Sequence, residues 1–403
     1  MPKLVVIGNG MAGIRTLEEL LKSAPHQYEI TVFGSEPHGN YNRIMLSSVL
    51  SGEKVLDDIF INDQAWYDQH NITLYSGASK TVTRIDRQQR KVYTQDGTVA
   101  DYDRLLISTG SKPTIANVPG NQLAGIISFR DIADVSKMLA YSKTHRNAIV
   151  LGGGLLGLEA ANGLALRGMS VTVIHNNAVL LNRQMDKAAG ILLQKELETK
   201  GLRFKMACQV EQLLGDDQHH IKTVRLTDGT ELECDLLVMA IGVKPNKALA
   251  EAAGLYCEQG IIVNDTLQTY DPRVYAVGEC IQHRGQTFGL VAPVFEQAKV
   301  CANHLTGHGV AQYLTLPTAT KLKVTGIQVF SIGDFVGDHT TETIQFTDTS
   351  LGIYKKLVLK ANKLVGAVLY GDTQDGYWYQ ELLEKAQSIT PIREQLIFGK
   401  AYV

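Results

Sequence analysis

A chain of 403 residues is long enough for about two to three domains, and with 44% hydrophobic and 20% charged residues it can bury a large core. Lys and Arg number 39 against 41 Asp and Glu, a formal net charge of −2, which argues against a nucleic-acid binder. No apolar run approaches the roughly 20 residues of a membrane span. The start, MPKLVVIGNG, opens into a strand and a glycine turn without a cleavable signal pattern, so a cytoplasmic protein is the expectation.

The first predicted element is the β-rich run Leu4–Ile7, which breaks into Gly8-Asn9-Gly10-Met11-Ala12-Gly13. A helical pattern carrying Ile14, Leu17, Leu20 and Leu21 on one face follows, and then a strand over Ile30–Phe33. Strand, G-x-G-x-x-G, helix, strand is the unit that binds a dinucleotide. Gly8 permits the tight turn, Gly10 lets the backbone approach a pyrophosphate, and Gly13 lets helix and strand pack closely. The pyrophosphate then meets the exposed N–H groups of the helix start, Met11 and Ala12 among them.

Further along, Tyr102–Ile107 reads as a strand ending in Ser108-Thr109-Gly110. The whole signal then recurs. Ala148–Leu151 leads into Gly152-Gly153-Gly154-Leu155-Leu156-Gly157, a helix with Leu158, Ala161 and Leu164, and a strand over Val171–Ile174. One glycine fingerprint is weak, but two complete units point to a chain that binds two dinucleotides. A further strand, Cys234–Ile241, breaks at Gly242, and Val274–Val277 ends on Gly278 and Glu279. Hairpins are expected at Asp96-Gly97 and Asp228-Gly229. Beyond residue 312 the stretches Lys321–Phe330, Thr343–Phe346, Tyr354–Lys360 and Leu364–Tyr370 read as successive strands, and Tyr379–Ala386 as a helix. The expected architecture is α/β: one dinucleotide domain from 1–112 and 242–312, a second over 113–241, and a small α+β domain over 313–403.

The cysteines Cys208, Cys234, Cys257, Cys280 and Cys301 form no C-x-x-C pair. They read as small buried hydrophobes and argue against a redox disulfide, a cysteine-rich zinc site or an iron–sulfur cluster. His304 and His308 have a metal-like spacing, but Gly307 and Gly309 mark a helix end, so this pair and His219-His220 read as surface residues and no metal site is expected. Residues 313–403 hold nine basic and nine acidic side chains. The lysines 321, 323, 355, 356, 360 and 363 therefore fit either a solvated sheet face or a dock for an acidic redox protein.

These motifs in this order resemble the two-dinucleotide flavoprotein reductases, the glutathione-reductase-like superfamily. Within it the chain resembles the ferredoxin- and rubredoxin-reductase branch more than the disulfide branch, and is similar in particular to the flavoprotein module of NAD(P)H-dependent nitrite reductase large subunits. The stretches carrying the resemblance are Gly8–Gly13, Asn40–Ser48, Tyr275–Cys280, Phe288–Pro293 with Glu296–Ala298, Lys321–Val324 and Leu364–Trp378. It implies two Rossmann-like three-layer domains plus a C-terminal interface domain, with FAD as one cofactor and NADH as the other. Gly157, where NADPH enzymes often carry Ala, favours NADH, and NADPH stays open.

Carried over residue by residue, Gly8, Gly10 and Gly13 would hold the FAD pyrophosphate, and Glu36 the adenosine ribose. Arg43 would lie near the flavin phosphates or ring, Thr109 and Gly110 over the adenine side, and Glu279 on a ribityl hydroxyl. The helix starting near Pro293 would point its positive end at the flavin pyrimidine edge. Gly152, Gly154 and Gly157 would cradle the NAD(P)H pyrophosphate, and Glu159 would sit near the meeting of nicotinamide and flavin. The second strand ends in His175-Asn176-Asn177, with neither an acid for a ribose 2′-hydroxyl nor an Arg for a 2′-phosphate; His175 fits either nucleotide.

Two departures bear on function. Ser48 stands where many ferredoxin reductases of the branch have Lys, and Tyr41–Ser48 lacks the cysteine of the disulfide- and peroxide-reducing branches. The reading is an FAD-dependent oxidoreductase that takes a hydride from NADH and passes electrons to an iron-containing acceptor. That acceptor would be a redox protein or a fused iron–sulfur and sirohaem domain, in assimilatory nitrite or nitrate reduction. The alternatives are an NADH:rubredoxin or ferredoxin reductase of another pathway, or a redox sensor resembling apoptosis-inducing factor. Oligomerisation stays open.

Overall fold

The computed structural model describes residues 1–307, 309–315, 319–324 and 326–403. The chain divides into two units. The first comprises Met1–Leu46, Lys54–Pro113 and Val243–Leu316, and the second Ser47–Glu53, Thr114–Gly242 and Pro317–Val403.

The first unit is built on a parallel sheet in the order Val274–Ala276, Arg104–Ile107, Lys3–Ile7, Glu29–Gly34, Ile72–Ser76. Lys3–Ile7 is its central strand, and Leu4, Val5 and Val6 are fully buried, as expected of a strand covered on both faces. The helix Met11–Ser23 turns Ile14, Leu17, Leu20 and Leu21 into that core and packs along the helix Val291–Leu305. A three-stranded antiparallel sheet, Val82–Asp86, Lys91–Thr94 and Val99–Asp101, makes the hairpin expected at Asp96-Gly97.

The second unit repeats the plan. Its parallel sheet runs Ile126–Ser128, Leu236–Met239, Asn147–Leu151, Ser170–His175, Arg203–Met206. The helix Leu155–Leu166 buries Leu158, Ala161 and Leu164 against it. The hairpin at Asp228-Gly229 is present between Ile221–Leu226 and Glu231–Glu233. Ser47–Glu53 joins this unit because Arg167 reaches it: its Nε donates to Leu50 O (2.7 Å) and its Nη2 to Val49 O (3.1 Å).

The end of the chain forms a five-stranded antiparallel sheet with the helix Gly376–Glu384 over one face, around Phe330, Leu357, Leu369 and Tyr379. Two sequence expectations need correction here. Lys321–Phe330 is not one strand but two, Thr320–Val324 and Ile327–Gly333, which pair antiparallel with Val324 opposite Ile327. Gly326, at a φ of +93°, lies in the reversal between them. The final helix starts earlier than expected and stops at Glu384, ended by Ala386 in the left-handed region.

Candidate dinucleotide-binding sites

Each glycine turn is shaped by what lies behind it. At Gly8, φ is +116° and a Cβ would fall 2.2 Å from Ser108 O; at Gly13 it would fall 2.4 Å from Ser108 Oγ. Ser108 itself donates to the carbonyls of Ile7 and Gly8 at 3.1 and 3.0 Å, locking the end of Arg104–Ile107 under the turn. The second turn copies this. Gly152 sits at φ +124° with a virtual Cβ 2.3 Å from Ala240 O, and Gly157 would clash with Gly152 O at 2.0 Å. Neither pair tolerates a side chain, because the obstacle is backbone or a buried hydroxyl.

Gly10 and Gly154 are different. Both have ordinary extended backbones, both cap the helices that follow, and a Cβ on either would meet nothing within 4 Å. Their absence of side chain serves the open space beyond the helix start, not the protein. Neither helix has a side-chain cap or an acidic residue in its first turn, whereas Ile132–Thr144 and Lys187–Thr199 are capped by Asp131 and Asp186. The first-turn N–H groups, which include Met11 and Ala12 in one helix and Leu155 and Leu156 in the other, are left for an outside acceptor. Two open, uncapped, glycine-started helices fit two pyrophosphates. The helix Val291–Leu305, with Pro293 in its first turn, is a third long helix without a side-chain cap.

Around the first turn, Glu36 accepts from Tyr41 Oη at 2.7 Å and is ion-paired with Arg43, whose guanidinium lies 5.1 Å over the Tyr41 ring. Glu36, expected at the adenosine ribose, and Arg43, expected near the flavin phosphates or ring, are thus joined directly. Thr109 donates to Asn246 O (2.7 Å), Asn246 N–H returns to Gly110 O (2.9 Å), and Gly110 has a φ of +66°. Ser111 Oγ donates to Glu279 Oε2 at 2.8 Å, so Glu279 is oriented from the same segment. Gly278 precedes it at φ +92°, tight against Ala12.

In the second unit Glu159 is half-buried, two residues into the helix body beyond Gly157. Burial pushes its carboxyl up to about 7, against the lowering effect of a hydrogen bond with Ser47. His175 is buried at the end of its strand, and its Nδ1 accepts the Gly153 N–H at 3.2 Å. Its ring packs on Gly153, where a Cβ would meet Cδ2 at 2.8 Å, and burial lowers its pKa. Asn182 and Val179 lie near enough to favour the charged ring slightly, yet Nε2 makes no hydrogen bond. His175 therefore faces inward as the floor of the glycine turn. Gly242, expected in the nucleotide site, is at φ +114° with its carbonyl accepting from Thr114 N–H.

Several residues at these sites were not legible beforehand. Asn9 Oδ1 accepts from the buried Tyr67 hydroxyl (2.7 Å) and its carbonyl from Asn40 Nδ2 (3.2 Å), which fixes the first turn. Arg183 lies on the loop after His175; among the described residues its guanidinium makes no ion pair or hydrogen bond. That loop is held to the glycine turn by Leu181 N–H on Gly153 O at 3.0 Å, with Leu180, Leu181 and Met185 buried. A search for Arg at the strand end alone passes over it.

The remaining candidates are structural in the described residues. Cys234, Cys280 and Cys301 are buried, with thiols raised by burial, to about 12 and about 11 in the first two. Cys208 and Cys257 are only partly buried. His304 Nε2 pairs with Ala311 O, and His308 lies outside the described residues. Lys355 is buried against Asp372 at 2.7 Å, and Lys356 is paired with Asp186 at 3.7 Å, so these two do not contribute to a free basic face.

Two glycine-turn Rossmann units with uncapped helices define a dinucleotide-dependent oxidoreductase. Residues 2–304 match the pyridine nucleotide-disulphide oxidoreductase family and residues 318–387 the rubredoxin NAD+ reductase C-terminal domain. Among curated proteins, the chain is 47% identical over 388 residues to a nitrite reductase [NAD(P)H] of Bacillus subtilis, covering 96% of this chain and 48% of that one. It is 46% identical over 398 residues to the assimilatory nitrate reductase electron transfer subunit of the same organism, covering 98% of this chain and 51% of the other. The chain thus spans about half the length of these relatives. Among solved structures, the NADH:rubredoxin oxidoreductase of Clostridium acetobutylicum superposes with a TM-score of 0.81 at 25% identity, over 97% of both chains. The chain belongs to the pyridine nucleotide-disulphide oxidoreductase family and is an FAD flavoprotein dependent on NAD(P)H.

Proposed function

We propose that this chain is the electron-input flavoprotein of nitrite or nitrate assimilation, taking reducing equivalents from NADH and passing them to an iron-containing acceptor on another domain or subunit. The observation that carries the reading is the pair of open glycine turns, Gly10 and Gly154, each at the head of an uncapped helix within one chain. The two Bacillus subtilis relatives, a nitrite reductase and an electron transfer subunit of nitrate reduction, support the pathway. The bound flavin supplies the chemistry: it accepts a hydride and releases electrons singly.

The chain's own residues bind and orient. The Met11–Ser23 helix start would take the FAD pyrophosphate, Glu36 the adenosine ribose, and Glu279, held by Ser111, a ribityl hydroxyl. Arg43, tied to Glu36, sets the position of that carboxylate and would place a positive charge beside the flavin phosphates. The uncapped start of Val291–Leu305 would face the electron-rich edge of the reduced ring. The Leu155–Leu166 helix start would take the nicotinamide nucleotide's pyrophosphate, and Glu159, able to hold a proton near neutrality, would hydrogen-bond its nicotinamide end.

At the adenosine end the residues directly after His175 are Asn176 and Asn177, with no acid to repel a 2′-phosphate there, and Arg183 further along the loop offers a cation. NADH is the donor favoured by Gly157, and NADPH is admitted through Arg183. An anaerobic mix of the yellow protein with each nucleotide tests this. Rapid bleaching of the flavin band, then reoxidation by a one-electron acceptor such as ferricyanide, is expected. A flavin that resists both nucleotides would refute the reading.

A further inference from the structure

In the first unit a buried amide stands behind the flavin-side turn. Gln297 is fully buried in the second turn of Val291–Leu305, and its Oε1 accepts the Gly278 N–H at 2.8 Å. That donor leaves no ambiguity about which end of the amide faces the turn, since only the oxygen can accept. The other end, Nε2, donates toward Tyr313 Oη at 3.5 Å. Tyr313 is itself buried and anchored, its N–H on Asp265 O at 2.7 Å and its ring edge-on to His283 and Phe288. His283 completes the support, fully buried between Asp265 Oδ1 (2.9 Å) and Thr315 Oγ1 (3.0 Å).

The turn that Gln297 holds cannot hold itself. Gly278 has a φ of +92° and is crowded against Ala12 of the first glycine turn, while the next residue, Glu279, is the one Ser111 orients. A buried N–H left without an acceptor is costly, so the turn would relax if the amide oxygen were removed. Relaxation would move Glu279 and loosen the contact with Ala12, which are on the two sides of the proposed FAD site. The other buried positions of this helix include Val294, Ala298, Val300 and Cys301, all apolar, so a buried amide among them needs its hydrogen bonds to offset the cost of burial.

We propose that Gln297 is a positioning residue for the flavin: it holds the Gly278–Glu279 turn from the buried side, and Tyr313 and His283 brace it. The proposal rests on the FAD reading of this unit and adds a residue that touches none of the cofactor.

The test compares Gln297→Leu, Gln297→Glu and Tyr313→Phe in the full chain. FAD dissociation is followed by the visible band, the flavin midpoint potential is measured, and amide exchange is read over residues 274–282. Gln297→Leu is expected to weaken FAD retention about tenfold, the equivalent of one lost buried hydrogen bond, with faster exchange at the turn and a shifted potential. Gln297→Glu keeps the acceptor and should retain FAD and turn protection close to the parent, which keeps the idea testable if the Leu variant does not fold. Tyr313→Phe leaves the Gly278 bond and should have a small effect. A Leu variant with lowered melting temperature but unchanged FAD retention, potential and exchange would overturn the proposal, as would a Glu variant that loses FAD as the Leu variant does. A parent chain that binds no FAD would instead remove the flavin reading itself.

Discussion

Replacing Glu159 by Gln changes one thing cleanly, the charge of a half-buried carboxyl. In the folded chain this group titrates at about 7, against 4.5 when unfolded, because burial disfavours the anion more than Ser47 helps it. A raised carboxylate favours the protonated folded state. Its contribution is fully present below the unfolded value and is lost as pH climbs from about 4.5 through about 7. The span corresponds to roughly 3 kcal/mol at most. Gln is neutral throughout and keeps a hydrogen-bonding head near Ser47, so Glu159→Gln should match the parent at about pH 4 and be more stable above about pH 8. For a unit of this size each kcal/mol moves the melting temperature by roughly 2–4 °C. The melting difference between variant and parent, taken at intervals from about pH 4 to about pH 9, should therefore grow from near zero to several degrees, half developed at about pH 6. A difference that stays flat with pH would refute the reasoning, because the carboxyl would then be ionised in the fold throughout.

Arg183→Ala should weaken NADPH and 2′,5′-ADP binding about tenfold, while NADH and ADP change less than twofold, and the loss for NADPH should shrink at high salt; calorimetry with the four ligands decides it. Because the Gly153 N–H needs a bare Nδ1 on His175, nucleotide affinity should fall on acidification past the ordinary imidazole range, since burial lowers the pKa of this ring. His175→Asn, whose Oδ1 can stand in for Nδ1, should bind NADH nearly as the parent does but without that pH dependence. His175→Leu should bind several-fold more weakly at every pH, and equal behaviour of the Asn and Leu variants would contradict the role given to Nδ1.

The glycine turns were legible because backbone constraint is written in residue type. A Cβ at Gly8 or Gly13 would press on Ser108, and one at Gly152 or Gly157 on the Ala240 or Gly152 carbonyl, so any other residue forces the neighbouring backbone or hydroxyl to shift. The helix faces were legible because Ile14, Leu17 and Leu20, or Leu158, Ala161 and Leu164, recur at helical spacing and are all buried. What escaped was whatever depends on partners far apart in the chain. Asn9 with Tyr67, Gly278 with Gln297, and Arg167 with Leu50 are each hydrogen bonds between segments with no shared periodicity. His175 at its strand end fits either nucleotide by sequence, and its acceptance of the Gly153 N–H is another contact that no local pattern announces. The misread strand at Lys321–Phe330 had its signal in plain view. Apolar alternation runs on through both strands, and Gly326 at φ +93° is the residue that marks the reversal.

The central claim is that one chain carries two separate dinucleotide sites, each at a glycine whose missing side chain leaves room for a ligand and not for the protein. Gly10→Ala and Gly154→Ala test it together, since a Cβ at either place meets nothing in the fold and both backbones suit alanine. Anaerobic NADH titrations of the two variants, followed by the visible spectrum, are the measurement. Both should fold, and once stripped of flavin both should melt like the stripped parent. Gly10→Ala should lose most of its flavin, while Gly154→Ala should stay yellow yet need at least tenfold more NADH to bleach. Two variants that keep their flavin and bleach like the parent would contradict the account.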